Sequence, residues 1–266
     1  METQPVTASL VFAAGKGSRM KDYDGNKTLL PLKPTYSPFK GSDPILLYIL
    51  KNLPPGPKAL VVNHKKEDVI EATRSLALHY YEQPRLNGTG GALLAAKKFI
   101  DRLDYEQLII TYGDVPFVKA STYQNLLEYV IHYPMVVLAF QPGDKKQYGV
   151  LETRDDCVTK VTEWKYWNHY PKEKQARLTL CNSGIYAVRR VVLARYLDIL
   201  KKKPHEVIKE RDGNMVTIEE FFITDLIELM SHAGLKVGYV IAEDETEVMG
   251  IDDVSSLLTA QSLYNT

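Results

Sequence analysis

Small residues and two cations lie close together near the start of the chain, in a pattern that suits a polyphosphate ligand. Residues 13–20 read Ala-Ala-Gly-Lys-Gly-Ser-Arg-Met, and Lys27 lies eight residues beyond Arg19. The small residues of this segment are Ala13, Ala14, Gly15 and Gly17. Backbone N–H groups can approach phosphate oxygens where side chains are small, and Arg19 and Lys27 can neutralise the phosphate charge. A tight turn alone would also explain Gly-x-Gly, but the cations that follow favour a phosphate-binding loop.

Two familiar nucleotide-binding motifs are incomplete in this segment. A dinucleotide fingerprint needs a third glycine where Met20 stands and an acidic residue at the end of a second strand. A P-loop needs Gly-Lys-Ser or Gly-Lys-Thr, which the sequence lacks. The loop therefore predicts a different class of nucleotide-binding protein.

Apolar runs alternate with loops and amphipathic segments through the first half of the chain. The predicted strands span residues 6–14, 59–63, 107–112 and 135–141, and the predicted helices span residues 44–53, 67–79, 90–102 and 121–132. This alternation predicts an α/β fold with a mostly parallel sheet and helices on both faces. Ligands bind beyond the carboxyl ends of such strands, where both the glycine-rich loop and Asp114 are expected.

The second half has shorter strands and longer polar loops. Strands are predicted at residues 149–153, 158–163, 178–188 and 236–242, and helices at residues 217–232 and 254–264. Residues 165–177 read as an aromatic and charged loop, and residues 33–44 as a loop at the active edge that is a candidate lid. The absence of repeats and low-complexity linkers predicts one two-lobed domain.

Composition excludes several classes of protein. The 266 residues are 45% hydrophobic, which suffices for a sizeable core, and 33 basic residues balance 33 acidic ones. This balance gives no global field for nucleic acid or an anionic membrane. Cys157 and Cys181 make neither a disulfide framework nor a metal pattern. No signal peptide or long apolar run is found, so we expect a cytoplasmic protein.

Nine segments, taken in order, resemble the GlmU-type sugar-nucleotide pyrophosphorylases, specifically their uridylyltransferase domain. The resemblance spans residues 6–261 and rests on residues 13–20, Lys27, Gln83 with 87–90, 112–116, 148–149, 161–165, 182–185, 223–225 and 247–253. It implies a Rossmann-like fold of the glycosyltransferase-A type, with a nucleotide-binding lobe at about residues 1–120 and a sugar-binding lobe at about 121–266. No hexapeptide repeat follows, so we expect the acetyltransferase domain of the bifunctional enzymes to be absent.

The resemblance implies that Gln83, Gly88 and Thr89 contact a pyrimidine base. An amide and a backbone turn can both donate to and accept from the edge of uracil. A glycine-rich entry into a helix is the structural alternative for this segment. Arg19 and Lys27 are the residues that the resemblance makes catalytic.

The resemblance also implies a Mg²⁺ ion held by Asp114 and Asp252. Asp114 follows a predicted buried strand, so its carboxylate is well placed to hold the metal against phosphate oxygens. Its alternative role is a helix N-cap. The bifunctional bacterial enzymes have an asparagine at the position of Asp252, and the adjacent Asp253 is a second candidate.

A hydroxyl-rich sugar needs buried hydrogen-bonding groups, which the second lobe is expected to supply. The implied sugar-binding residues are Gly149, Glu163, Lys165, Asn182 and Thr224. Glu163 has the alternative of a surface carboxylate near Lys160 and Lys165, and Thr224 of a structural residue in its helix. A cluster of aromatic residues nearby is interpreted as a hydrophobic patch or lid in preference to a stacking platform. It consists of Trp164, Tyr166, Trp167 and Tyr170.

These observations predict an enzyme that joins a sugar 1-phosphate, N-acetylglucosamine 1-phosphate first, to UTP and releases pyrophosphate. Its partners are then small molecules, with no nucleic acid and no membrane. The alternatives are transfer with glucose 1-phosphate, dTTP or CTP, transfer to a non-sugar phosphate, and a catalytically silent nucleotide-sugar sensor. A glycosyltransferase is disfavoured because no Asp-x-Asp follows a strand.

Overall fold

The computed structural model describes residues 5–20, 22–211 and 214–265. Thirteen strands lie in this part of the chain: β1 (Thr7–Ala13), β2 (Pro31–Ser37), β3 (Lys40–Pro44), β4 (Lys58–Val62), β5 (Leu78–Glu82), β6 (Gln107–Tyr112), β7 (Met135–Phe140), β8 (Val150–Arg154), β9 (Cys157–Thr162), β10 (Cys181–Arg189), β11 (His205–Arg211), β12 (Asn214–Glu220) and β13 (Gly238–Ile241). Ten α-helices lie in the same residues: α1 (Ile45–Asn52), α2 (Lys66–Thr73), α3 (Thr89–Ala95), α4 (Lys97–Ile100), α5 (Ala120–Val130), α6 (Trp164–Trp167), α7 (Lys172–Arg177), α8 (Arg190–Leu200), α9 (Thr224–His232) and α10 (Val254–Tyr264).

Nine of the described strands form one mixed sheet. Its main path runs β13-β7-β10-β6-β1-β4-β5, and β8 and β9 extend from β10. The neighbours β6, β1, β4 and β5 are parallel, as are β7 and β13, whereas β10 is antiparallel to both β6 and β7. The expected mostly parallel α/β sheet is therefore present.

Both faces of this sheet are buried, which explains why its central strands are almost continuously apolar. On β1, Leu10 and Phe12 pack in one core and Val11 packs in the other. Side chains alternate across a strand, so an uninterrupted apolar run supplies both cores at once. The carboxyl ends of β1 and β6 then bring the glycine-rich loop and Asp114 to the same edge.

The predicted helix at residues 67–79 is wrong in its second half. Helix α2 ends at Thr73, and β5 begins at Leu78 and pairs in parallel with β4. The Thr73 hydroxyl donates to the Val69 carbonyl (2.7 Å) and lies 2.7 Å from the Tyr80 hydroxyl. The tyrosine-rich segment suits an edge strand. Each of its residues pairs with one that lies twenty positions earlier in the chain, which a local pattern cannot show.

The predicted helix at residues 217–232 is also wrong in its first part. Residues of β12 pair antiparallel with β11, with Val207 opposite Ile218, and the helix α9 begins only at Thr224. Val216, Thr217 and Ile218 are β-branched, which favours an extended conformation. A hairpin therefore precedes the helix.

Residues 33–44 form no loop, contrary to the prediction. They lie in a hairpin of β2 and β3 that α10 holds in place. The Gln261 amide donates to the Pro31 carbonyl at 2.8 Å and to the Pro38 carbonyl at 2.7 Å. The polar segment 165–177 likewise contains the short helices α6 and α7. The predicted helix at residues 90–102 is two helices, α3 and α4, which are separated at Ala96, and α8 has no predicted counterpart. The strands and helices at the other predicted positions are confirmed with shifts of a few residues, and α10 matches its prediction at both ends.

Candidate active site

Lys27 lies between two carboxylates at the carboxyl edge of the sheet. Its ammonium group forms an ion pair with Asp114 and a second one with Asp252, where Nζ lies 3.2 Å from Oδ1. It also donates to the Ile251 carbonyl at 3.4 Å. The Arg19 guanidinium reaches Asp252 from the solvent side, with 3.4 Å between Nη1 and Oδ2. Two cations and two carboxylates that are far apart in sequence thus form one cluster.

The electrostatics of this cluster are dominated by its buried half. The side chains of Lys27 and Asp114 are only 13% and 15% exposed, whereas that of Arg19 is 70% exposed. Burial by itself would lower the pKa of Lys27, but the carboxylates of Asp114 and Asp252 outweigh it and raise that pKa. Lys27 therefore remains a cation.

Asn26 fixes the position of Lys27, a role that sequence analysis missed. This fully buried side chain donates to the Ala13 carbonyl (3.2 Å) and the His64 carbonyl (2.8 Å). Its oxygen accepts from the backbone and the hydroxyl of Thr28, so it caps the short 3₁₀ turn that carries Lys27. An asparagine directly before a helical turn is the signal that would have indicated this role.

A cavity of about 450 Å³ opens beside the cluster. Eight residues predicted for the nucleotide, the metal or catalysis line it, namely Ala14, Gly15, Lys27, Gln83, Gly88, Thr89, Asp114 and Asp252. Ala13, Gly17 and Arg19 do not line it. Ala13 is buried as the last residue of β1, and a side chain at Gly17 would press on Lys27, with 3.3 Å between the two Cβ atoms.

The structure distinguishes Asp252 from its neighbour Asp253. The carboxylate of Asp253 accepts from the backbone of Ser256 (2.8 Å) and forms a capping box at the start of α10. These hydrogen bonds lower the pKa of Asp253. Asp253 is thus occupied as a helix cap, while Asp252 faces Lys27 and the cavity.

The donor set beside the cavity suits Mg²⁺. Magnesium is commonly held by one or two carboxylates while phosphate oxygens and water complete its six ligands. Asp114 and Asp252 supply two carboxylates, and within the described residues no group of three or more His, Cys, Asp or Glu side chains could hold a metal unaided. These carboxylates therefore fit a metal that arrives with a phosphate ligand.

Gln83 is buried and its amide is held in one orientation. Its Nε2 donates to the Gly88 carbonyl (3.0 Å) and to the Asn87 side-chain oxygen (3.1 Å). A carbonyl can only accept, so Nε2 must face Gly88, and Oε1 is the atom that remains for a ligand. The backbone at Gly88 has a φ of +90° and passes so close to Phe221 that a Cβ would overlap its carbonyl. Glycine is thus required here.

The β11–β12 hairpin supplies two further residues to the same cavity. Lys209 Nζ lies 2.6 Å from Oε1 of Glu220, whose side chain is only 6% exposed. Neither residue was expected here from the sequence: Lys209 lies in a segment without a predicted element, and Glu220 lies in the predicted helix at residues 217–232. The residues after the hairpin are hydrogen-bonded to the glycine-rich turn that follows Gln83. The Phe221 N–H donates to the Asn87 carbonyl (2.9 Å), and the Ile223 N–H donates to the Thr89 hydroxyl (3.0 Å).

A second cavity, of about 310 Å³, adjoins the first and shares Thr89, Tyr112 and Phe222 with it. Four of the five predicted sugar-binding residues line it, namely Gly149, Glu163, Asn182 and Thr224. Burial raises the pKa of Tyr112, so this residue at the junction is a neutral phenol. The sheet edge therefore carries two connected cavities.

Asn182 lies in an irregular part of β10. The register against β7 shifts between Asn182 and Tyr186, and the Asn182 amide donates to the Tyr186 hydroxyl at 2.9 Å. Gly184 has a φ of +82° and lies against the ring of Tyr112. Such a bulge re-aims side chains at the edge of a site, as it does here for Asn182.

Glu163 lies between helix α6 and Gly149 and opens on the cavity. Within the described residues no hydrogen bond or ion pair is found for its carboxylate, whose electrostatic neighbours are Lys165 and Asp225. Partial burial raises the pKa of Glu163, Lys165 opposes that shift, and Asp225 adds to it. Lys165 does not line this cavity; its ammonium lies 4.8 Å from the centre of the Tyr166 ring, in a neighbouring space.

The aromatic residues of segment 164–170 divide into two groups. Trp167 is buried, and its indole N–H donates to the Tyr148 carbonyl at 2.8 Å, so it is structural. Trp164, Tyr166 and Tyr170 line the neighbouring space.

Among the helices of the described residues, none has the length and hydropathy that a membrane span requires.

Comparisons with known proteins agree with this architecture. Residues 9–180 match the family of MobA-like NTP transferase domains. The bifunctional protein GlmU of Sphingopyxis alaskensis is 33% identical over 263 residues, which cover 97% of this chain and 52% of that protein. GlmU of Cereibacter sphaeroides is 28% identical over 267 residues, covering 98% and 53%. The chain thus spans about half the length of the curated relatives it matches.

A solved structure supports the fold. The uridine diphosphate N-acetylglucosamine pyrophosphorylase of Trypanosoma brucei superimposes with a TM-score of 0.73 at 11% identity, covering 96% of this chain and 64% of that one. At this identity the likeness concerns the fold alone. The expected glycosyltransferase-A-like fold and the resemblance to GlmU are confirmed. The chain belongs to the MobA-like NTP transferase family and is a nucleotidyltransferase.

Proposed function

We propose that this nucleotidyltransferase joins N-acetylglucosamine 1-phosphate to UTP, giving UDP-N-acetylglucosamine and pyrophosphate. The observation that carries the proposal is the pair of connected cavities. One is flanked by Lys27 and two carboxylates, and the other by Glu163 and Asn182. A triphosphate in the first and a sugar phosphate in the second would meet at Thr89, Tyr112 and Phe222, which line both.

The free oxygen of Gln83 supports a uridine nucleotide. Uracil presents an N3–H donor between two carbonyls, and Oε1 of Gln83 is an acceptor with no partner of its own within the described residues. The fixed amide therefore selects for a base with a donor at this edge. Both N–H groups of the Gln83 amide already donate to protein acceptors. The carbonyl oxygens of uracil would therefore accept from backbone N–H groups near Gly88.

The reaction needs one bond formed and one broken. A phosphate oxygen of the sugar 1-phosphate attacks the α-phosphorus, and the bond from that phosphorus to the β-phosphate oxygen breaks, so pyrophosphate leaves. The attacking phosphate is already ionised at neutral pH, so no general base is required. Lys27 and Arg19 neutralise phosphate charge, and the glycine-rich loop orients the triphosphate.

Asp114 and Asp252 would hold the Mg²⁺ ion of the proposed reaction. When bound, the ion supplies further neutralisation of the charge on the triphosphate. In the structure the Lys27 ammonium contacts both of these carboxylates. When the ion takes its place there, the ammonium would move to the phosphates.

The second cavity supports an acceptor with hydrogen-bonding substituents. The Glu163 carboxylate is free to accept from an acetamido N–H or a hydroxyl, and Asn182 can contact a neighbouring oxygen. A site built for such a group leaves polar atoms unpaired when the group is missing, which can cost about 10²-fold or more in kcat/KM.

The proposal is tested by coupled pyrophosphate release across nucleotides and sugar phosphates. We expect UTP to exceed CTP, dTTP, ATP and GTP, and N-acetylglucosamine 1-phosphate to exceed glucose 1-phosphate. Glu163→Ala should reduce the preference for the acetamido sugar before it reduces the preference for uridine. Equal rates with the two sugar phosphates would reject the sugar assignment, and a preference for another nucleotide would reject the uridylyl assignment.

A further inference from the structure

A third cavity, of about 930 Å³, continues from the sugar cavity and is three times its size. The two share Gln147, Glu163, Phe222 and Thr224. Sites for small molecules typically enclose about 300–1,000 Å³, so the smaller cavity suffices for one sugar ring. An acceptor of one ring therefore leaves the larger space without a ligand.

Aromatic side chains form much of the wall of this larger cavity. Trp164, Tyr166 and Tyr170 lie on and after helix α6, and Phe222 and His205 line it from the base of the β11–β12 hairpin, with 5.2 Å between their ring centres. Tyr166 is 57% exposed, and its ring lies 4.8 Å from the ammonium of Lys165. An exposed ring in a cavity wall offers a flat apolar face to a ligand.

The charges of the wall argue against a second anionic group. The wall contains two lysines, Lys160 and Lys165, and four carboxylates, those of Glu163, Glu206, Asp225 and Glu228. Lys160 is already paired with Glu228 (3.5 Å), and His205 with Asp225 (2.8 Å). A phosphate or another carboxylate would meet no surplus of positive charge. Carboxylates beside aromatic rings suit an uncharged ligand that donates many hydrogen bonds.

We propose that the third cavity binds a second, uncharged sugar ring, so that the preferred acceptor is a glycosylated sugar 1-phosphate. The inference rests on the proposed function, because it places the phosphate-bearing sugar in the smaller cavity. The second ring extends past Glu163 and Thr224, lays its C–H face on Tyr166 and donates its hydroxyls to carboxylates of the wall.

The test compares disaccharide 1-phosphates with their reducing-end monosaccharide 1-phosphates, with UTP as donor. The probes are N,N′-diacetylchitobiose 1-phosphate against N-acetylglucosamine 1-phosphate, and maltose 1-phosphate against glucose 1-phosphate. We expect at least one disaccharide to have a kcat/KM about tenfold above that of its monosaccharide. Monosaccharide rates equal to or above those of both disaccharides would overturn the inference.

Variants locate the effect in the cavity. Tyr166→Ala should remove most of the disaccharide advantage and leave the monosaccharide rate unchanged, while Tyr166→Phe should retain the advantage because the ring remains. Tyr129→Ala is the matched control, since Tyr129 is also an exposed tyrosine on a helix (48%) and lies outside all three cavities. A disaccharide advantage that survives Tyr166→Ala would place the second ring elsewhere and overturn the inference.

A binding experiment tests this inference independently of the proposed function. Free N,N′-diacetylchitobiose and its 1-phosphate are titrated into UTP-loaded protein by calorimetry, with the wild type and Tyr166→Ala. Tighter, Tyr166-dependent binding of the 1-phosphate supports the inference even if no sugar phosphate is turned over, in which case the proposed function alone fails. Equal binding of the free disaccharide would indicate a separate saccharide site and overturn the inference.

Discussion

At the scale of single residues, the site is organised by one lysine that holds two carboxylates together. Lys27 forms ion pairs with Asp114 and Asp252, which follow different strands and lie far apart in the sequence. Two like charges held this close need a cation between them, and the folded protein supplies its own. The cluster is neutral as it stands, with Arg19 as its second cation.

The adjacent pair Asp252 and Asp253 gives a direct test of the proposed metal role. Asp252→Ala should lower magnesium-dependent turnover roughly 10³-fold, because a hard-oxygen ligand is lost while the fold is unaffected. Asp253→Ala should keep activity and lose about 1 kcal/mol of unfolding free energy, because it removes a helix cap. Steady-state kinetics and urea unfolding of both variants measure the two effects. The reverse pattern would assign the metal to Asp253.

Lys27 should compete with a divalent metal when no nucleotide is present. In Lys27→Ala the carboxylates of Asp114 and Asp252 are released, so nucleotide-free protein should bind Mn²⁺ at least about tenfold more tightly than wild type. Titration followed by electron paramagnetic resonance measures free Mn²⁺ directly. Lys16→Ala, an exposed lysine of the same loop, is the control and should not change the affinity. Unchanged Mn²⁺ affinity in Lys27→Ala would show that the lysine does not occupy the metal position.

At the scale of elements, the second cavity, which we propose binds the sugar, depends on an irregular strand. The bulge in β10 carries Asn182 into the cavity, and Gly184 allows the bulge to lie against Tyr112. The β11–β12 hairpin has a comparable role at the first cavity, because Lys209 and Glu220 line it. The irregular strand β10 and the regular β11–β12 hairpin thus each supply residues to one of the two cavities.

Gly184→Ala should therefore damage the sugar side selectively. The φ of +82° is unfavourable for alanine, and the new Cβ would overlap the Tyr112 ring, so we expect a loss of about 2–4 kcal/mol in stability. The KM for the sugar phosphate should rise more than that for UTP.

Gly234→Ala is the matched control for this variant. Gly234 has a similar φ of +79°, but no atom lies within 4 Å of an added Cβ, so only the backbone cost of about 1 kcal/mol applies. Thermal unfolding and the two KM values distinguish the variants. Equal losses in both would show that contact with Tyr112 has no part in the effect.

At the scale of the whole molecule, the two halves of the chain are interleaved. Strand β10, from the second half, lies between β6 of the first half and β7, and both cores contain residues from both halves. Neither half can bury its central strands without the other. Residues of both halves thus build the sheet and its two cores.

Unfolding in urea should accordingly follow a single transition. Both tryptophans, Trp164 and Trp167, report on the second half, whereas far-ultraviolet circular dichroism reports on the whole chain. We expect the two signals to share one midpoint. A fragment of residues 1–120 should show no cooperative transition, because β6 would lose its neighbour β10. Two separated midpoints, or a stably folded fragment, would contradict this expectation.

The sequence by itself determined the elements whose signals are local. Continuous apolar runs predicted β1, β6 and β7 because a strand buried on both faces needs no polar residue. The glycine-rich loop and Asp114 could be assigned to one edge because parallel strands all end there. Resemblance then supplied the expected roles of residues such as Gln83 and Glu163, which their local patterns could not indicate.

Only the tertiary structure decided which distant groups meet. The edge strand β5 and the hairpin strand β12 exist because of partners across the sheet or turn, so helical periodicity misassigned both. The difference between Asp252 and Asp253 depends on which one caps α10 and which one faces Lys27, a choice that neighbouring residue types do not reveal. The place of Lys209 beside Glu220 and the third cavity are likewise products of long-range packing. Contacts between segments remote in sequence carry no local pattern, and these contacts give the site its shape.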